Sequence, residues 1–353
     1  NNADIKGNIN LRNYELDLNA FVPAFMYDGK SFDNITLTAK GNRDTLHAVM
    51  VVANIKINDS LELPGTKINL AASNNASVIH LTTTASKSIR DAELNATVYH
   101  MDDGVRIHFA PSSFVLNDKK WRLEKDGEIT LRKRYFDANE VKFVHDDQQI
   151  VLSSEMDPVR ESSNLVARLE NINIEDFAPF VITKPSMKGI LTGRATVADP
   201  FGKPIIEFNG QADSFYLDGK EVGHVKLDAN ANTSTGIVSF NGTGSGEKND
   251  FNVNGNINYK DSTGAQTDIV FKANKFDLNI LEPYMNTVFS QVNGIASGDI
   301  RLYNDKKNMY ITGPARISNG SMTVAYTKCK YLFNDQQVNF GKDLIELKTI
   351  RIK

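Results

Sequence analysis

The chain has 353 residues, with 40 Lys and Arg against 43 Asp and Glu, a formal net charge of -3, six His and one Cys. The charges are spread along the sequence, which excludes the basic stripe that a nucleic-acid backbone requires, and the single cysteine, Cys329, excludes an internal disulfide framework or a cysteine-ligated metal. No apolar run approaches the roughly 20 residues that a membrane-crossing helix needs, and no secretory leader opens the sequence. Both ends enter or leave in mid-pattern, at Ile5-Lys6-Gly7-Asn8-Ile9 and at Ile350-Arg351-Ile352-Lys353, so the sequence reads as a piece of a longer chain.

From the first residues the period is two, the signature of strands with one dry face. Ile5, Gly7, Ile9 and Leu11 share a face, and the stretch 14–25 alternates before a short helical turn expected around Pro23-Ala24-Phe25. Strands follow with Ile35, Leu37 and Ala39, with Val51, Ala53, Ile55 and Ile57, and with Ile68, Leu70 and Ala72 after a Pro64-Gly65 turn. Hairpins fit 94–152, where Leu94, Ala96 and Val98 precede a turn at Asp102-Asp103-Gly104, then Val105, Ile107 and Phe109. The only tryptophan, Trp121, lies in 111–123, and Ile129-Thr130-Leu131, Val141-Lys142-Phe143 and Ile150-Val151-Leu152 continue the series.

One stretch breaks the pattern. At 276–298 an alternating lead-in is followed by Leu281, Tyr284, Met285, Val288, Phe289 and Val292 at helical spacing, and then by glycines that restart a strand. Asn279 with Glu282 three residues on reads as the helix cap, and Pro283 is tolerated so near a start. Residues 169–182 repeat the stretch, with Pro179 for Pro283 and Gly189 and Gly193 for Gly294 and Gly298; residues 16–25 form a weaker third copy. Repeat-like modules thus begin near 14, 170 and 274 of one continuous β chain over 1–353.

After the second copy come Ile206 and Phe208, then Val225, Leu227 and Ala229, then the cleanest alternation in the chain, Phe251 to Tyr259, with Asn on the wet side. Gly242–Gly246 and 261–264 read as hairpin loops, and Ile269 and Phe271 lead into the third module. Roughly 25 short strands with no long helix to cover them must form sandwiches, close into barrels, or curl into a trough. The absence of a Pro/Gly/Ser-rich linker and the repeated short helices argue for an elongated curved β groove, with the helices inside it or at its edge.

The order of several weak motifs resembles a known family. These are the 111–123 stretch with Trp121, the Gln148-Gln149-Ile150-Val151-Leu152 strand, the 172–180 and 276–284 lead-ins, Gly294 and Gly298, Gly313-Pro314-Ala315, Asn319-Gly320 and the 331–335 series. Together they are similar to the TamB translocation and assembly module proteins of the AsmA-like group, in their Bacteroidota style. The resemblance implies a taco-like β groove with an apolar interior, in the periplasm, in a parent protein anchored in the inner membrane. It implies guidance of phospholipid between the two membranes in support of outer-membrane assembly, with a BamA-type outer-membrane protein as partner of the parent protein.

An acyl chain needs a continuous apolar wall and no polar anchor. Val105, Ile107, Phe109, Val141, Phe143, Val225, Leu227, Phe251, Val253, Ile257, Tyr259, Ile269 and Phe271 are the expected lining residues, and Leu281, Tyr284, Met285, Val288 and Phe289 the face of a helix plugging the concavity. The same rows would equally fill a closed core, and a structural or adhesive β-rich surface protein is the alternative. None of the six histidines forms a metal-binding pair, Gly242–Gly246 lacks the ending of a phosphate loop, and Cys329 has no base partner in sequence. No cofactor, metal or catalytic residue is read.

Overall fold

The computed structural model describes residues 2–27, 29–56, 62–84, 89–124, 127–132, 135–157, 162–180, 182, 184–200, 202–260, 266–305, 308–342 and 344–347. Ile57, the loop read at 261–264 and the terminal alternation at 350–353 lie outside them. The fold is all-β and antiparallel, and the chain divides into two compact units, 1–168 and 169–353.

The first unit opens with long strands: β1 (Asp4–Asn10), β2 (Glu15–Tyr27), β3 (Lys30–Gly41), β4 (Thr45–Lys56), β5 (Glu62–Ser73), β6 (Ala76–Thr83) and β7 (Ile89–Met101). Each pairs with the next, as alternation joined by short polar turns dictates. Seven pieces follow: β8 (Gly104–Phe109), β9 (Ser112–Leu116), β10 (Lys119–Leu123), β11 (Glu128–Arg132), β12 (Tyr135–Asn139), β13 (Val141–His145) and β14 (Gln148–Asp157). β8 and β9 both pair with β7, β10 joins β9 to β13, and β11 joins β8 to β12. The short strands are therefore long strands broken in the middle and laid end to end.

The breaks fall on one line. Val22, Ile35, Val52 and Thr66 pair across β2–β5, and so do Ala24, Asp33, Asn54 and Pro64; the ladder skips the row between them, Pro23, Asn34, Ala53 and Gly65. Proline brings no N–H to a ladder, and Asn34 (φ 50°) and Gly65 (φ 60°) hold left-handed backbone that bends a strand. Asp91 on β7 (φ 48°) and Glu140 between β12 and β13 (φ 42°) continue the line. Burial along it is deep: Val52, Thr66, Thr83, Leu116, Trp121, Leu123 and Val141 are each no more than 4 % exposed. A sheet folded toward its apolar side along a crease buries the residues of the corner in this way. The crease also corrects two sequence readings. β2 runs straight through Pro23-Ala24-Phe25 as strand, so the helical turn expected there is absent, and it is Val52, not Val51, that faces inward. Val49-Met50-Val51-Val52 is apolar on both sides, so its alternation could not choose a face.

In the second unit the strands are β15 (Ser162–Asn173, which carries the boundary), β16 (Met187–Ala198), β17 (Ile205–Leu217), β18 (Lys220–Asn232), β19 (Ile237–Ser245), β20 (Asp250–Asn258), β21 (Gln266–Asp277), β22 (Phe289–Asp305), β23 (Asn308–Val324), β24 (Lys330–Phe333), β25 (Gln336–Phe340) and β26 (Ile345–Leu347). β16 to β23 form a simple meander, and β24 and β25 lie end to end on β23. A line of irregularities crosses this unit too, at Gly189, Ser214, Gly223, Gln291, Gly294 and Asn319, all at positive φ, and at register shifts on β20 and β21. Glycine is needed at Gly294, where an added Cβ would sit 2.6 Å from Gly320 Cα.

Two helical turns sit beyond this line: α1 (Ile174–Phe177) runs into a 3-10 turn at Ala178–Phe180, and a 3-10 turn at Leu278–Leu281 runs into α2 (Glu282–Met285). The second packs against β22 and β18. It is capped by Asp277, whose carboxylate accepts from the Asn279 N–H at 3.0 Å, and not by Asn279 as the sequence suggested. The helix also stops at Met285. Val288 lies in a turn, and Phe289 and Val292 belong to β22, where Gln291 (φ 52°) forms a bulge; that extra residue stretches the strand period from two to three and imitates helical spacing. Gly242 and Gly244 are interior to β19, not in a loop, and only Gly246 stands in the turn.

Candidate functional site

The register of the second unit sets Val225, Leu227, Phe251, Val253, Ile269 and Phe271 in continuous cross-strand rows, while Ile257 lies in a fourth row between Val238 and the polar Thr267. Ala195, Phe208, Ala229, Phe240, Gly255, Ile269 and Leu302 form one row over β16–β22, and Gly193, Gly210, Leu227, Gly242, Val253, Phe271 and Ile300 form the next. Leu191, Ala212, Val225, Gly244, Phe251, Ala273 and Gly298 form a third. No polar side chain interrupts the three rows. The glycines are not vacant positions: a Cβ on Gly244 would lie 2.2 Å from Phe251 Cζ, so the aromatic ring already covers that backbone. Phe251, Phe271 and Phe276 meet at centroid distances of 5.0 to 5.7 Å beside the register shifts on β20 and β21.

These rows are not sealed. Leu227 is 36 % exposed, and of the 21 row members only Ala212, Gly242 and Gly244 are fully buried. A sandwich would bury such rows against a second sheet. The first unit repeats the arrangement: Gly7, Leu18, Ala39, Ala48, Leu70, Ile79, Ala96 and Phe109 align across β1–β8. Beside them Val98 pairs with Ile107 and Ile107 with Ile129, while Val105 pairs with Leu131.

Three expected lining residues are placed differently. Val141 is only 1 % exposed, enclosed at the crease with Trp121, and Tyr259 stands beyond the end of β20 in a turn, 53 % exposed, its N–H bonded to Gly236 O at 3.0 Å. Phe143 joins the crease as well, edge-on to Phe114, which stacks on Trp121 at 6.3 Å. The helical turn departs further from expectation. Ile280 is buried, but Tyr284 and Val288 are each 53 % exposed, so the turn does not plug the concavity with the face that was read for it.

Polar bonds hold it at the strand ends. Asn249, itself buried, accepts from the Asp277 N–H at 3.0 Å and donates to Val222 O at 3.1 Å; Glu282 pairs with Lys220 at 3.3 Å; and Tyr284 Oη donates to Asp218 Oδ2 at 2.7 Å. That last bond, with one from the Ser186 N–H, holds the Asp218 carboxyl below its usual range; partial burial and Asp218 push Tyr284 up to about 12. Neither Asn249 nor Asp218 carries a sequence signal for this role, although Asn or Gly out of place in a strand pattern was the available clue to the line of irregularities.

The polar side chains of β16–β20 alternate onto the opposite face. There Arg194, Asn209, Asp228, Asn241 and Asn254 form one row and Thr196, Glu207, Asn230, Ser239 and Asn256 another, lining a shallow hollow of about 590 Å³. Among the described residues no three His, Cys, Asp or Glu side chains gather where a metal could sit, and no described helix is long and apolar enough to cross a membrane. No protein-family model matches the chain, no curated protein matches it, and no solved structure matches it.

Proposed function

We propose that the apolar rows of the two units carry lipid acyl chains, and that the protein is a β groove guiding phospholipid across the periplasm in support of outer-membrane assembly, in the manner of the TamB proteins its motifs resemble. The observation behind this reading is that rows apolar over seven consecutive strands stay half-open, as Leu227 at 36 % exposure does, and carry no charge that would repel a hydrocarbon chain. Phospholipid is then the ligand, and the parent chain is anchored in the inner membrane and meets a BamA-type outer-membrane protein; no catalytic role enters this reading. A photo-crosslinking residue at Val253 or Phe271 tests it. Capture of phospholipid in cells, matched by phospholipid in extracts of the purified protein, is the expected result. A probe that never captures lipid, with a lipid-free preparation, returns the chain to a structural or adhesive role.

A further inference from the structure

We draw no further inference here: the strongest candidate, the polar hollow over β16–β20 on the face opposite the apolar rows, is a water-exposed sheet face whose side chains bond to one another, Asn230 to Glu207 at 3.4 Å and Ser239 to Asn256 at 2.5 Å, and nothing in the structure shows what covers it.

Discussion

The crease around Trp121 and the rows across β16–β22 are written in the same period-two code, yet one is sealed and the other open. Trp121 is 0 % exposed, with Leu116 at 1 % and Leu123 at 3 % around it, whereas Leu227 keeps 36 % of its surface in water. The difference teaches that stability and apolar display come from different parts of this chain: the surroundings of Trp121 are a packed core, the rows across β16–β22 are a surface. Truncation should expose the division at once. Trp121→Ala leaves a cavity in a site that cannot collapse and should cost about 3–5 kcal/mol, read as a fall in the urea midpoint. Leu227→Ala should cost about 1 kcal/mol or less, because part of the side chain gains nothing from folding. Equal losses at the two positions would mean that the wall is covered by something else in the folded protein.

Glycine on the wall sharpens the contrast from the other side. Gly244 has ordinary strand backbone, so its identity is a matter of space, which Phe251 occupies from the neighbouring strand. Gly244→Ala should therefore cost about 1–3 kcal/mol by displacing the ring, and Phe251→Ala should remove most of that cost. A double-mutant cycle over urea melts measures the coupling; additive losses would show that the ring does not cover the glycine.

Alternation alone made the all-β fold and the apolar rows legible, since Phe251, Val253, Ile269 and Phe271 pair as their spacing requires. What stayed hidden were the places where one residue resets the count. The bulge at Gln291 turned Phe289 and Val292 into an apparent helix face, and Pro23 read as a helix marker where it marks a fold in the sheet. A left-handed Asn or Asp looks in sequence like any polar residue on the wet side of a strand. The polar anchors of the helical turn were equally hidden, because Asn249 and Asp218 reach it across 28 and 66 residues of sequence.

The smallest effect expected is also the one most specific to that turn. Asp218 has a lowered pKa in the folded chain, so its bond with Tyr284 contributes fully above the unfolded carboxylate value near 3.9 and is lost as pH falls through the lower folded value. Tyr284 is shifted the opposite way, to about 12, so its contribution is complete below the unfolded value near 10 and disappears as pH rises from there through about 12. Between these limits the contact is pH-independent. Tyr284→Phe removes the hydroxyl but keeps the ring, and the variant should lose the parts of the stability decline that the wild type shows below pH 4 and above pH 10, while differing little at neutral pH, where an exposed bond adds little. Urea midpoints across the pH range measure this. Should the two profiles run parallel at both ends, the Tyr284–Asp218 bond does not tether the turn, and Asn249 together with the Glu282–Lys220 pair holds the turn against β18.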